Sequence, residues 1–203
     1  MGTRGGPVRE NRIRSKCLSA HAHRRFVVVS GLPGSGKSRL ASQLAPVLGL
    51  AVIDKDEILE RLFALKGAGD PAWRRTLSRE SDLIFQQEAQ ASEGALLVSF
   101  WRVPGMSPAT GTPTDWLSGL SARVVHLQCA CPAEIAAARF SRRQRHRGHL
   151  DQTRSPREIL ESIQDLSRFG PLNVGSLVTV DTSAEVRLGE AAAAIEAAFR
   201  SAT

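Results

Sequence analysis

Eight residues, Gly31-Leu32-Pro33-Gly34-Ser35-Gly36-Lys37-Ser38, set three glycines ahead of a lysine and a hydroxyl. Such a loop can do one chemistry well. Glycines let the backbone wrap closely, so that successive N–H groups point inward at anionic oxygens. A helix starting at the end of the loop adds roughly half a positive charge to the same spot. A lysine at position 37 then reaches the β- and γ-phosphates of a nucleotide, and the Ser38 hydroxyl can ligate Mg²⁺. All eight residues are therefore candidates for holding ATP or GTP, with Lys37 also catalytic and Ser38 also a metal ligand.

Two further groups carry charge in a useful pattern. Asp54 and Asp56 follow an apolar run in "AVIDKDEILERL". Positions i and i+2 of an extended segment share a face, so both carboxylates can look toward the phosphates. Asp56 is read as the group that orients or deprotonates an attacking hydroxyl, and Asp54 as a metal ligand. Asp56 is also a good helix N-cap. Further on, Arg139, Arg142, Arg143, Arg145, Arg147 and Arg154 fall within sixteen residues against one acid, Asp151. Arg139 and Arg143 are four apart, on one helix face. A mobile segment bearing them can close over ATP and stabilise charge on the transferred group. His146 and His149 lie in the same stretch with no acid at metal-binding spacing, and read as loop histidines.

The elements that must position these residues alternate. Short apolar strands are expected at Phe26–Ser30, Leu50–Ile53, Ala95–Phe100, Arg123–Cys129 and Ser176–Val180. Helices are expected at Lys37–Leu48, Glu57–Lys66, Ala72–Ser92, Pro132–Arg147, Ser155–Arg168 and Ala184–Arg200, with a short one near Asp115–Leu120. Strand–helix alternation with uniformly apolar strands predicts an α/β fold, a five-stranded parallel sheet with helices on both faces. The carboxyl ends of such strands open onto one crevice. One domain over residues 26–203 accounts for the pattern, with a lid at about 139–154.

Charge is distributed unevenly. Residues 1–25 hold seven basic groups against one acid, which is six of the +7 net charge. The rest of the chain is nearly neutral, so residues 1–25 read as a basic, disordered tail. Its sharper reading is an arm for nucleic acid. Three cysteines at these spacings form neither a disulfide framework nor a zinc site, and point to a reducing, cytoplasmic compartment. Cys129 and Cys131 read as core-edge residues. No apolar run reaches the ~18 residues of a membrane span.

Taken together, "GLPGSGKS", "IDKDE" after the second strand, Arg139-x-x-x-Arg143 after the fourth and "VDTS" (Val180–Ser183) after the fifth resemble the small P-loop kinases with an AAA-type ATP-binding domain. That group includes polynucleotide 5′-hydroxyl kinase, chloramphenicol phosphotransferase, zeta toxin and gluconate or shikimate kinases. The resemblance covers about residues 26–200 and implies a nucleoside-kinase-like fold and transfer from ATP, with Mg²⁺, to a hydroxyl. It assigns Asp56 as base or substrate ligand and Arg139 and Arg143 as lid arginines. It places Asp181, Thr182 or Ser183 near the adenine, with Thr182 the chosen contact. Two departures stand out. The third strand ends Val98-Ser99-Phe100-Trp101-Arg102, with no carboxylate for the metal and no Gly-Gly stretch, which argues against a shikimate kinase. Trp101 and Arg102 instead sit at the sheet's active edge, where they could contact an acceptor; core packing is the other reading of Trp101. The favoured reading is a kinase acting on a small molecule. A polynucleotide 5′-hydroxyl kinase and an ATP-binding regulator without transfer are the alternatives.

Overall fold

The computed structural model describes residues 24–201. Five parallel strands, β1 (Arg25–Gly31), β2 (Ala51–Asp54), β3 (Gly94–Val98), β4 (Arg123–Ala130) and β5 (Ser176–Asp181), form one sheet in the order β2-β3-β1-β4-β5. Six helices connect or flank them: α1 (Lys37–Leu48), α2 (Lys55–Lys66), α3 (Pro71–Ala91), α4 (Ala133–Arg142), α5 (Pro156–Ser167) and α6 (Leu188–Ser201). The sheet is the expected one.

Side chains alternate across each strand, and this divides the interior. Val27 and Val29 of β1 pack with Leu40 and Leu44 of α1 and Ile195 and Phe199 of α6. Phe26 and Val28 face the other way, onto Phe85 of α3, Trp101 and Leu120. With both faces covered, β1 has no polar side to show, which is why its sequence reads as a continuous apolar run. Two satellite clusters sit over the active edge. Leu59, Leu62 and Phe63 of α2 pack with Leu77 of α3. Ala136 and Phe140 of α4 pack with Ile159 and Ile163 of α5.

Two elements differ from the sequence reading in ways that matter. The helix after β4, expected to run to Arg147, stops at Arg142. Arg143 is extended (φ −73°, ψ 140°) and two 3₁₀ turns follow, at Arg147–His149 and Asp151–Thr153. Continuing the helix would stack Arg139, Arg143 and Arg147 on successive turns, where like charges repel. Leaving it lets Arg143 and Arg145 reach acids instead. Strand β3 ends at Val98, short of Phe100. Beyond it the Ser99 and Thr112 hydroxyls hydrogen-bond at 2.6 Å, and Trp101 pairs with Thr112.

Of the basic N-terminal stretch, residues 1–23 lie outside the described residues, and the reading of them as a tail or nucleic-acid arm lies there too. Arg24 and Arg25 belong to the fold. Arg24 is 8% exposed, and its guanidinium donates to the carbonyls of Ala89 (3.1 Å), Gln90 (2.8 Å) and Ser92 (3.0 Å), and to that of Leu120 (3.3 Å). Three of these carbonyls lie at the C-terminal end of α3 and its cap, Ser92, where a cation is favoured. Arg25 pairs with Glu196 of α6 at 2.8 Å. The fold therefore takes in both arginines, because they meet carbonyls and an acid that only the folded chain brings near. Arg24→Ala leaves those carbonyls without their donor. We expect a loss of about 2–3 kcal/mol of stability, read as a lower urea midpoint; an unchanged midpoint would place Arg24 outside the fold.

Candidate active site

The loop of residues 31–38 joins β1 to α1 as expected. Gly31, Gly34 and Gly36 all have positive φ (138°, 82° and 91°). At Gly34 the requirement is also steric: a Cβ would stand 2.1 Å from the Ala136 carbonyl oxygen, so α4 presses directly on the loop. At Gly36 a Cβ would meet nothing within 4 Å. That open side is the concave one, where an anion can approach backbone N–H groups at the start of α1. Ser35 is fully buried and its hydroxyl has no partner among the described residues. Lys37 Nζ donates to the Gly31 and Leu32 carbonyls at 3.0 and 2.9 Å. Burial lowers the pKa of this ammonium from its ordinary value, against the opposing pull of neighbours that include Asp56 and Asp54. Beneath it, burial pushes the Cys129 thiol up to about 12, so that residue behaves as a core side chain.

The two aspartates take different positions. Asp54 closes β2 and is 5% exposed. Its Oδ2 accepts from Ser38 Oγ at 2.6 Å, and its Oδ1 accepts from the Asp56 backbone N–H at 2.9 Å, capping α2. The N-cap is thus Asp54, and Asp56 lies in the first helical turn and not on an extended segment. Burial raises the Asp54 pKa, and the nearby Asp56 charge adds to it against the Ser38 hydrogen bond. Asp56, with 54% of its side chain exposed, is shifted the other way. Burial acts to raise it, but Arg145, His149, Lys37 and Arg143 together hold it below the usual carboxylate range. The site therefore holds one readily ionised acid and one that resists ionisation. Such a split separates a proton acceptor from a group suited to a cation.

Ser38 Oγ and Asp54 Oδ2 are hard oxygen donors side by side. They fit Mg²⁺, which takes one or two protein ligands and completes its shell with water and phosphate oxygens. A cation there would also neutralise the charge that burial disfavours on Asp54. No cluster of three or more His, Cys, Asp or Glu side chains placed to hold a metal occurs among the described residues.

A cavity of about 720 Å³ joins these groups. The phosphate loop, Arg139, Phe140 and Arg143 line it together with Asp56, Arg74, Ser99 and Phe100. The two lid arginines part company. Arg139 Nη1 and Nη2 donate to the Thr182 and Ser183 carbonyls at 2.6 and 2.7 Å, which ties α4 to the segment after β5. Arg143 lies 3.9 Å from the Phe140 ring centroid and pairs with Asp151 at 3.4 Å. Thr182 is 5% exposed and turns its hydroxyl to the Ala130 carbonyl, 2.9 Å away, so its side chain serves the fold. Trp101 and Arg102, expected at an acceptor, do not line the main cavity. Trp101 is 3% exposed and donates to the Val29 carbonyl at 2.9 Å; Arg102 pins the loop ahead of Thr112 through the carbonyls of Pro108, Thr110 and Gly111.

Three residues enter the site without having been given a role there: Glu60 and Arg74, which were not singled out, and Arg145, read only as one of the clustered arginines. Arg145 meets the Asp56 carboxylate and donates to Asp151 Oδ2 at 3.2 Å. Glu60 accepts His149 Nε2 at 2.9 Å. Arg74, on α3, faces the cavity with a buried Nε that has no hydrogen bond, and among the described residues it has no ion-pair partner. Glu60 sits one helical turn beyond Asp56, which was the available signal. Arg74 stands in a chain-wide scatter of arginines and carried none.

A family model described as an AAA domain matches residues 26–168. A shikimate kinase of Pseudoalteromonas translucida is 26% identical over 71% of this chain and 80% of its own length. One from Vibrio campbellii is 29% identical over 70% of this chain and 78% of its own. Named relatives are thus shikimate kinases, although the missing Gly-Gly stretch argued against that group. A solved structure from Chloroflexus aurantiacus superposes with a TM-score of 0.69 at 22% identity, over 90% of this chain and 99% of that one. The shikimate kinase of Bacteroides thetaiotaomicron gives 0.57 at 18% identity, over 87% and 98%. These two share the fold.

The raised Asp54 pKa fixes a sign. Between the unfolded value, near 3.8, and the raised folded value, the folded state holds more protons than the unfolded one, so stability falls as pH rises. Asp54→Asn removes the charge; its amide oxygen can still accept from the Asp56 N–H, and its amide nitrogen faces the Ser38 hydroxyl, which can turn to accept. In urea unfolding without nucleotide, the variant should be more stable than wild type at pH 8, with the gap closing as pH falls toward 3.8. The same variant should lose Mg²⁺-dependent nucleotide binding.

Proposed function

The chain belongs to the AAA domain family, and from that premise we propose that it is a P-loop kinase that moves the γ-phosphoryl group of ATP onto a hydroxyl of an anionic small molecule. The observation that carries this reading is the convergence on one cavity of the phosphate loop, the Ser38–Asp54 pair, the low-pKa Asp56 and the arginine-bearing lid. The relatives named as shikimate kinases support it.

In the proposed reaction the phosphate loop and the N-terminus of α1 hold the phosphate chain. Mg²⁺, when bound by Ser38 and Asp54, neutralises charge on the phosphate oxygens. The acceptor hydroxyl attacks the γ-phosphorus as the bond to the β–γ bridging oxygen breaks, and its proton passes to Asp56. Lys37 leaves the Gly31 and Leu32 carbonyls for the phosphates, and Arg143 adds positive charge from the lid. Positioning and electrostatics do most of the work in such transfers. Arg139 acts at one remove, by fixing the segment around Thr182 and Ser183 near the nucleotide base.

Arg74 narrows the acceptor. An arginine lining the cavity with no anion of its own is matched by a carboxylate or phosphate on the ligand. The chain lacks the Gly-Gly stretch that the resemblance associates with shikimate kinases, so the residues support an anionic, hydroxylated acceptor as a class.

The test is transfer of label from [γ-³²P]ATP to a pool of shikimate, gluconate and other hydroxy acids beside neutral nucleosides, antibiotics and 5′-hydroxyl oligonucleotides. Label should appear on a hydroxy acid and be lost in Lys37→Ala. Asp56→Asn should lower kcat by about 10²–10⁴. Arg74→Ala should raise the acceptor KM about tenfold or more with a smaller effect on kcat. Label on the oligonucleotide alone would replace this acceptor class with nucleic acid.

A further inference from the structure

The lid does not hang free. It is seated on α2 through one stripe of that helix, Asp56, Glu60 and Phe63, spaced i, i+4 and i+7. His149 is 3% exposed and meets Glu60; its ring also stands edge-on to Phe63 with centroids 5.4 Å apart. His146 stacks on the same ring at 5.2 Å. Gly148 lies against it so closely that a Cβ would be 2.7 Å from ring carbons. Leu150 takes a left-handed conformation, φ 60°, to turn the chain back.

This seat delivers Arg145. Its side chain is 14% exposed, and Asp151 of the lid holds Nη1. The other nitrogen, Nη2, is buried, makes no hydrogen bond, and faces Asp56 Oδ2. Arg145 is therefore aimed at the carboxylate by the lid and contacts it by charge alone. A hydroxyl approaching that oxygen has to compete with the guanidinium for it.

We propose that Arg145 holds the acceptor's place on Asp56, so that bound ATP is protected from water until an acceptor displaces the guanidinium. This inference rests on the kinase reading and on Asp56 as its base. Hydrolysis needs the same proton acceptor as transfer. Water attacks the γ-phosphorus, the bond to the β–γ bridging oxygen breaks, ADP and phosphate result, and the water's proton goes to Asp56. With Oδ2 covered, only Oδ1 is left to take that proton, beside the Arg145 charge, and hydrolysis is slowed. Fast turnover thereby waits on a ligand able to compete with Arg145 for Asp56. The groups facing Asp56 are Arg143, Arg145 and His149 from the lid, Lys37 from the phosphate loop and Asp54 from β2.

The experiment measures phosphate release from MgATP without acceptor, using the full chain as wild type, Arg145→Ala, Arg145→Gln, Asp56→Asn and the double variant Asp56→Asn/Arg145→Ala. Both Arg145 variants should hydrolyse ATP about tenfold faster or more, within the range a general base supplies. The double variant should return to the wild-type rate or below. His149→Ala, which loosens the seat at Glu60 and Phe63 and leaves Arg145 in place, should give a smaller rise and serves if the Arg145 variants fold poorly. Wild type and variants binding MgATP equally with unchanged hydrolysis would overturn this inference and leave the kinase reading standing. A rise that persists with Asp56→Asn would overturn it as well. Wild type that does not bind MgATP would overturn both.

Discussion

The Asp54 carboxylate is the tie on which the site depends. One oxygen takes the hydroxyl at the start of α1 and the other takes the backbone N–H that opens α2. The helix that presents phosphate-binding amides and the helix that presents Asp56 thus begin from one buried acid. Keeping a charge there is unfavourable, which is why the pKa rises, and the same strain makes the spot receptive to a divalent cation. Sheet order reinforces the tie. Strand β3 lies between β1 and β2, so the two active segments are separated by the width of one strand. Ser99 and Phe100, which follow β3, line the cavity.

Arginines around this centre divide the labour by where they find counter-charge. Arg24 and Arg25 hold helix ends and an acid at the far edge of the sheet. Arg139 holds the segment after β5. Arg143 and Arg145 leave the helix and converge on Asp151, with Arg145 reaching on to Asp56. Arg74, among the described residues, lines the cavity with neither an acid nor a carbonyl for its guanidinium. Arg24, Arg25, Arg102 and Arg139 thus hold the fold, and Arg74, Arg143 and Arg145 line the cavity. Burial and the Arg145 charge also keep the His149 pKa low, so His149 meets Glu60 as a neutral imidazole near neutral pH and the lid's seat is more packing than ion pair.

Much of this was legible in the order of residues along the chain. The phosphate loop reads directly because its constraints are local: positive φ at three glycines, a lysine and a hydroxyl at the start of a helix. The strands read because a sheet covered on both faces demands uninterrupted apolar runs, and the alternation with helices follows. Asp54 and Asp56 read because the end of a parallel strand faces the crevice in any such fold. The sequence by itself therefore determined the fold class, the phosphate site and the acid pair.

Only the tertiary structure decided which charges meet. Arg145 and Asp56 are 89 positions apart, and nothing local distinguishes Arg145 from Arg142 or Arg147; the seat of the lid on Phe63 makes the choice. Trp101 looked like an acceptor contact until the Val29 carbonyl, in the neighbouring parallel strand, took its indole N–H. Arg24 looked like tail until the end of α3 supplied it with carbonyls. In each case the partner is distant in sequence. An ion pair or hydrogen bond between such partners leaves no periodic trace, because its position depends on packing, whereas apolar spacing and glycine placement are written residue by residue.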